Sequence, residues 1–373
     1  MKILYISNYG DGSGYANAAT GYILSIDEIG LQIVPRRIQF NDANQVHSRI
    51  QSLENNSVEN CDIVIQHTLP SYMDYNGNFK KNIALFAWET SNFKKSNWKT
   101  KLNCMDEIWV PSRFLINSCV ESGVTKPIKV VPHAVDTNKF YQKRQILDFV
   151  KEIKEKNDGF IFYTIGEFNV RKNFESLIKA FHLEFEPHEP VELVIKTGIE
   201  GKPPDEVYLE IDRYLNQIKS NLKLYRKANK YKKEYVITAR MKEDAINNLH
   251  YSADCFVTTS YGDAWNLGCM DALGFGKTPI VPASSGFLDY VSNKEGYLVN
   301  CKEEPVYGVQ NFVDLYTGHE NWWSVDINHL RKCMRLAFES RNDIKHQNKQ
   351  EFGKNKVFDY SYLKVGQIIK DLL

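Results

Sequence analysis

Residues 255–283 read CFVTTSYGDAWNLGCMDALGFGKTPIVPA, and they contain the unit that decides the fold. The β-branched runs at 255–260 and 278–283 predict buried strands, and the segment between them has the length of one turn and one short helix. A strand, a helix and a second strand in succession are typical of a parallel α/β sheet. This stretch therefore predicts an α/β fold.

The same alternation of strand and helix extends over the rest of the chain. Short apolar runs predict two groups of strands, at 2–8, 31–38, 62–68, 82–89, 107–112 and 128–134, and at 160–167, 191–198, 234–240, 255–260, 278–283 and 296–300. Residues 138–158, between the groups, are rich in Lys, Gln and Glu and predict a domain boundary. We expect a first domain at 1–145, a second at 150–357, and a C-terminal helix at 358–373 that joins the first domain.

Composition excludes several classes of protein. The chain has 373 residues, which is long for one domain, and 43% of them are hydrophobic, which is enough for two cores. Its net charge of +1 gives no overall field for nucleic acid or membranes. Seven cysteines without a C-x-x-C pair favour reduced thiols, and no apolar run approaches the roughly 20 residues of a membrane span. We therefore expect a cytoplasmic protein.

Two carboxylates flank the predicted turn before the helix. Asp263 and Asp271 are eight positions apart, so a helix that begins near Asn266 places one acid in the loop and the other one turn inside the helix. A helix N-terminus offers free N–H groups to an anion or a sugar oxygen, and each carboxylate accepts hydroxyl hydrogens. These groups together fit a nucleotide sugar.

Other polar residues follow the predicted strands, where ligands of open parallel sheets bind. Gly12 and Gly14 follow the first strand and let the backbone approach a phosphate, although a tight strand-to-helix turn is an equally good interpretation. His67 and Glu89 follow the third and fourth strands, and either side chain also fits a structural role.

Two consecutive cations follow the first strand of the second group. Arg171 and Lys172 precede a predicted helix, where they oppose the helix dipole. An anionic partner would offset both charges, and a solvated pair is the alternative.

With these residues assembled, the sequence resembles the retaining glycosyltransferases of GT-B fold, in the large family that has two spaced acidic residues in the donor site. WETSNF with MDEIWVPSRFL resembles the family's first-domain core, and VVPHAVDTNKF resembles its interdomain signature. GEFNVRKNFESLIKAF resembles its phosphate-binding segment, and DAWNLGCMDALGFGKTPIV its two-glutamate signature. The resemblance implies two Rossmann-like domains that face each other across a cleft.

The resemblance also implies an activity. The chain would transfer a hexose-type sugar from a nucleotide-diphosphate sugar, most readily a UDP- or GDP-sugar, to an acceptor hydroxyl with retention of configuration. Neither a metal nor a further cofactor is implied, and no D-x-D motif occurs in the chain. The acceptor would be a glycan, a glycolipid or a modified DNA base.

The resemblance assigns roles to individual positions. Asp263 would contact the transferred sugar, Glu89 would lie near the reacting carbon, and His67 is a lesser catalytic candidate. Asp271 would hold the ribose hydroxyls. The remaining donor-binding residues would contact the diphosphate or the sugar through backbone groups or charged side chains. They are Gly12, Gly14, Arg171, Lys172, Trp265, Asn266 and Leu267.

The sequence also departs from the family pattern. Both signature acids are Asp rather than Glu, which shortens their reach, and Glu167 replaces the usual arginine of the phosphate segment. These changes leave open an inactive sugar-nucleotide-binding subunit. A GT-B enzyme that is not a transferase, such as a nucleotide-sugar epimerase, is a second alternative. A basic stretch with Lys94, Lys95, Lys99 and Lys101 is a candidate contact for an anionic surface at the inner face of a membrane, and a solvated helix face is the alternative.

Overall fold

A computed structural model describes residues 1–38, 46–309 and 315–373. The first half of the chain forms a sheet from the strands β1 (Lys2–Ser7), β2 (Gln32–Arg37), β3 (Ile63–His67), β4 (Lys81–Leu85), β5 (Glu107–Val110) and β6 (Ile128–Val130). Within the described residues these strands are all parallel, in the order β2-β1-β3-β4-β5-β6. This order is that of a doubly wound sheet.

Helices cover this first sheet. They are α1 (Gly14–Glu28), α2 (Ser48–Glu54), α3 (Trp98–Cys104) and α4 (Arg113–Glu121). The core between sheet and helices buries side chains such as Ile3, Tyr5, Tyr22 and Ile65. Each fully buried large apolar side chain stabilises the fold by about 1.5–3 kcal/mol.

The second half forms another parallel sheet. Its strands are β7 (Phe160–Ile165), β8 (Val191–Lys196), β9 (Tyr235–Ile237), β10 (Cys255–Phe256), β11 (Ile280–Pro282) and β12 (Tyr297–Val299). The described strands pair as β10-β7-β8-β9 and β11-β12, and a parallel bridge from Val257 to Ile280 joins the two groups. The helices of this half are α5 (Asp148–Asn157), α6 (Phe174–Glu184), α7 (Pro204–Leu222), α8 (Glu243–Ser252) and α9 (Leu267–Gly274).

The chain ends with a hairpin and further helices. The hairpin pairs β13 (Cys301–Pro305) with β14 (Asn321–Val325) in antiparallel register, and the helices are α10 (Ile327–Glu339), α11 (Ile344–Val357) and α12 (Tyr362–Leu372). The last helix returns to the first half and packs against α1. A Cβ atom on Gly366 would lie 2.3 Å from the carbonyl oxygen of Ser25, so glycine permits this close approach.

The structure confirms the predicted parallel strands and the helix between β10 and β11. The hairpin was not predicted, because its charged strand CKEEP lacks the apolar pattern on which the strand predictions rest. Helix α12 packs against α1 of the first half, while the division into domains at 1–145 and 150–357 stays a prediction.

Candidate active site

The loop between β10 and α9 contains the first of the two carboxylates. Asn266 ends this loop with a φ of 77°, and its side-chain oxygen accepts a hydrogen bond from the backbone N–H of Cys269 at 2.9 Å. The same side chain donates its amide hydrogen to Asp263 Oδ2, also at 2.9 Å. Asn266 therefore caps the helix and orients Asp263, which confirms the helix start predicted from the sequence.

The two cations predicted from the sequence contact this carboxylate. Arg171 and Lys172 lie in a short 3₁₀ turn after β7, which Asn169 caps through its side chain. Arg171 Nη1 is 2.6 Å and Lys172 Nζ is 2.7 Å from Asp263 Oδ1. Burial alone would raise the pKa of Asp263, but Lys172 and Arg171 hold the pKa well below its usual range. Asp263 is therefore a permanent anion between two cations.

Glu89 reaches the same cation from the other half of the chain. It lies in the loop after β4, and its Oε1 is 3.1 Å from Arg171 Nε. The hydroxyl of Tyr316 donates to the same Oε1. For Oε2 the described residues provide no hydrogen-bond donor. Arg171 thus bridges carboxylates of both halves, and one oxygen of Glu89 stays available to a ligand.

A glycine brings the two loops into close contact. A Cβ atom on Gly262 would lie 2.1 Å from the carbonyl oxygen of Glu89, so any larger residue would push the loops apart. The carbonyl of Gly262 also accepts a hydrogen bond from Arg171 Nη1 at 2.9 Å. The site therefore lies where the loops after β4, β7 and β10 meet.

The N-terminus of α9 adds backbone donors beside these charges. Within the described residues, the backbone N–H groups of Ala264, Trp265 and Leu267 have no hydrogen-bond acceptor. The indole of Trp265 is buried between Tyr290 and Tyr360, at ring distances of 4.7 Å and 5.0 Å. The side chain of Trp265 thus fixes the loop by packing, while its backbone is free to bind an anion.

The glycine turn after β1 is open. Gly12 has a φ of 75° and Gly14 begins α1, and both residues are exposed. A Cβ atom on either glycine would meet nothing within 4 Å. The turn therefore has space for a ligand, while its contact with a phosphate stays a prediction.

His67 lies behind this site rather than in it. It is 1% exposed, its Nδ1 is 2.8 Å from the hydroxyl of Tyr5, and its ring is 5.1 Å from that of Tyr15. Burial lowers the pKa of His67 well below its usual value, so the ring is neutral. The structure does not bring His67 to the ion-paired group, and its catalytic role stays an untested prediction.

Asp271 is paired on α9 one turn beyond the helix start. Its Oδ1 is 2.7 Å from Nζ of Lys139, in the segment that joins the two halves. The ring of Phe140 next to that lysine lies against Gly274, where a Cβ atom would be 2.1 Å from the ring. Asp271 does not contact Asp263, and its assignment to the ribose stays a prediction.

The predicted basic surface is partly neutralised. Lys94 lies 3.8 Å from Glu121 and Lys101 lies 2.6 Å from Asp74. Only Lys95 and Lys99 of this group lack an ion-pair partner among the described residues. These pairs leave less positive charge for an anionic surface than the sequence alone implied.

Sequence reasoning missed several residues around the site. Tyr316 belongs to the hairpin connection, and its ring stacks on Trp88 at 5.2 Å. The hydroxyl of Tyr15 bonds both backbone groups of Ala87, at 2.9 Å and 3.0 Å. In the sequence, Lys139 is one residue of the D-T-N-K-F segment, and nothing in that segment indicates its contact with Asp271. No local pattern indicates such contacts, because their partners lie 72 or more residues away in the chain.

The described residues contain neither a helix that could span a membrane nor a cluster of metal-ligating side chains. None of the helices there is long and apolar enough to cross a membrane. No group of three or more His, Cys, Asp or Glu side chains in those same ranges is arranged to hold a metal ion.

Comparisons with known proteins identify a fold and a domain. Residues 146–312 match the model of the family described as glycosyl transferases group 1. No curated protein sequence matches the chain.

Three solved structures share the architecture of this chain. HepE from Anabaena in complex with UDP-glucose has 12% identity and a TM-score of 0.65, over 100% of this chain and 99% of that one. A glycosyltransferase from Rickettsia africae has 14% identity and a TM-score of 0.66, over 100% and 97%. Sucrose-phosphate synthase from Thermosynechococcus elongatus has 12% identity and a TM-score of 0.65, over 100% and 98%. At such identities the likeness shows the fold, which is GT-B.

Proposed function

We infer that this chain, a glycosyltransferase with the GT-B fold and a glycosyl transferases group 1 domain at residues 146–312, transfers a hexose from a UDP-sugar to an acceptor hydroxyl. The observation that carries this proposal is the ion-paired group of Glu89, Arg171, Lys172 and Asp263 where the two halves meet. The UDP-glucose complex of HepE supports the choice of UDP over GDP.

The cations and the start of α9 would bind the donor diphosphate. Arg171 and Lys172 lie beside backbone N–H groups that have no acceptor among the described residues. Negative charge develops on the diphosphate as the bond to the sugar breaks, and preorganised donors stabilise that charge most effectively. Gly12 and Gly14 would approach the same phosphates from the first half.

The carboxylates would recognise hydroxyl groups. When the diphosphate pairs with Arg171 and Lys172, Asp263 is released to accept hydrogen bonds from the sugar hydroxyls. Glu89 would keep Oε1 on Arg171 and Tyr316, and its Oε2 would accept the hydrogen bond of the acceptor hydroxyl. Asp271 would hold the ribose hydroxyls in exchange for Lys139.

We further propose that transfer retains the anomeric configuration and needs no metal or cofactor. The paired cations provide the positive charge that a divalent ion supplies in other transferases. An NMR spectrum of the product would give its anomeric configuration, and inversion would contradict the first part. Loss of activity in excess EDTA would contradict the second.

A binding experiment tests the donor site first. Calorimetry with UDP, GDP and ADP should show saturable binding of UDP, weakened at least tenfold in Lys172→Met, because one charge-assisted contact is worth about 1.5–3 kcal/mol. Lys179→Met on α6 is the matched control, because Lys179 pairs with Glu175 on the helix surface. Failure of all nucleotides to bind, or equal binding by Lys172→Met, would overturn the assignment.

Product analysis then separates transfer from the other GT-B chemistries. Incubation of UDP-glucose with an acceptor library should release UDP only when an acceptor is glucosylated. Epimerised UDP-sugar formed without an acceptor would establish the non-transferase alternative.

A further inference from the structure

A cavity opens on the side of the second sheet that lies away from the candidate active site. We call it the rear cavity; its volume is about 240 Å³, and its lining includes Lys154, Asp254, Lys277, Arg341, His346 and Gln350. Gly159 and Asp254 precede β7 and β10, whereas the active-site loops follow those strands. Because the strands are parallel, the two sites lie at opposite edges of one sheet.

The rear cavity contains a half-buried lysine without a counter-ion of its own. Lys277 follows the turn that ends α9, and its Nζ has no hydrogen-bond acceptor among the described residues. Burial lowers the pKa of Lys277 to about 8, and the charges of Lys154 and Lys354 lower it against the opposite effect of Asp254. The positive charge of Lys277 is thus only partly offset.

The nearest carboxylate is already committed to other donors. Asp254 contacts Lys154 Nζ with both oxygens, at 2.8 Å and 3.0 Å. Its Oδ2 also accepts from the backbone N–H of Ile161 at 2.9 Å. The other acid of the lining, Asp158, is exposed at the rim. Neither acid forms an ion pair with Lys277.

The remaining lining is rich in hydrogen-bond donors. The guanidinium of Arg341 lies 4.4 Å from the ring centre of Phe338 and donates from Nη1 to the carbonyl of that residue. Its other nitrogens, and the side-chain amide of Gln350, have no acceptor among the described residues. The imidazole of His346 contacts Thr278 and Tyr297, and burial lowers its pKa, so His346 adds no charge near neutral pH.

We propose that the rear cavity is a second, non-catalytic binding site for a small phosphate-bearing anion. A phosphate dianion supplies the acceptors that Lys277 and Arg341 lack, and both side chains pair well with phosphate oxygens. A space of 240 Å³ holds about eight water molecules, so the cavity admits free phosphate and also a small phosphate ester.

The test uses the full chain with inorganic phosphate and glucose 6-phosphate as probes. Calorimetry at constant ionic strength, with chloride as the reference anion, should show saturable binding of at least one probe. Lys277→Met should weaken that binding at least about tenfold, since it removes one charge-assisted contact. Lys345→Met is the control, because Lys345 is an exposed lysine of α11 outside the cavity lining, and it should bind as the wild type does.

The outcomes also distinguish free phosphate from a phosphate ester as the ligand, and the rear cavity from the donor site. Tighter binding of the ester than of free phosphate would assign the cavity to phosphorylated metabolites, and equal binding would assign it to phosphate itself. When the same titrations are repeated with saturating UDP, the stoichiometry of phosphate binding should be unchanged. No saturable binding, equal binding by Lys277→Met, or loss of phosphate binding when UDP is present would overturn the proposal.

Discussion

Replacement of Arg171 by methionine is expected to lower kcat by about 10²–10³-fold. The change removes one of the two cations that would stabilise the departing diphosphate, and loss of a single positioned donor of this kind costs about 2.7–4 kcal/mol in the transition state. Lys172 remains, so activity should fall rather than vanish.

The same change also has a cost in stability that the structure allows us to estimate. Arg171 contacts Glu89 at 3.1 Å, Asp263 at 2.6 Å and the carbonyl of Gly262 at 2.9 Å. Removal of one member of a buried pair costs about 3–5 kcal/mol. The side chain of Arg171 is 23% exposed, and Asp263 keeps Lys172, so we expect a loss of about 2–3 kcal/mol in the free energy of unfolding.

The assay compares UDP release at saturating UDP-glucose with urea unfolding of the same preparations. Arg331→Met is the matched control, because Arg331 is paired with Glu184 at 3.1 Å on the far surface and Arg335 also holds that carboxylate. The control should keep wild-type kcat. A folded Arg171→Met enzyme with kcat within about threefold of wild type would refute the leaving-group role. An equal loss in Arg331→Met would show that the effect is not specific to the site.

Four further predictions concern other residues and the requirement for a metal ion. Gly262→Ala should lower UDP affinity and cost about 1–3 kcal/mol of stability, because its Cβ would lie 2.1 Å from Glu89 O; unchanged calorimetric affinity would contradict the close contact. Asp271→Asn should weaken UDP binding about tenfold and leave Lys139 unpaired, whereas Asp271→Glu should restore the UDP affinity. Equal UDP binding by the wild type and both variants would exclude a ribose contact. Burial, with the charges of Lys154 and Lys354 and against the opposing effect of Asp254, lowers the pKa of Lys277 from 10.5 to about 8. The unfolded state therefore binds more protons between these values, and the stability should rise with pH from about 8 to 10.5. At 1.36 kcal/mol per pKa unit, Lys277→Met should increase the free energy of unfolding at pH 7 by about 3 kcal/mol. The stability of this variant should also no longer rise with pH over that range. Urea unfolding at several pH values checks both expectations. Finally, hexose transfer should persist in excess EDTA, measured as UDP release.

The parts of this fold that could be predicted are those set by local sequence. The strands of both sheets follow from short β-branched runs, and the start of α9 follows from Asn266, whose side chain both tolerates a positive φ and caps the helix. The contact between Arg171, Lys172 and an anion was also expected, because two cations at a helix start need compensation.

The identity of that anion could not be predicted. The partners of Arg171 are Asp263, 92 residues further along the chain, and Glu89 in the other half. Such pairs depend on how two sheets approach each other, which no residue pattern encodes. The enclosure of His67 by tyrosines is equally a property of packing, and from sequence the residue appeared as one more polar group after a strand.

Asp263 also makes the candidate site selective. A simple anion that takes Arg171 and Lys172 must displace a carboxylate from two charge-assisted contacts and leave it buried without a cation. A sugar nucleotide brings hydroxyl groups along with its phosphates, so it can satisfy the displaced carboxylate at the moment it takes the cations. In the proposed function, the binding of charge and the recognition of sugar would thus be a single exchange of partners. Inorganic phosphate completes only half of that exchange, and simple cellular anions should for this reason be weak competitors for the donor.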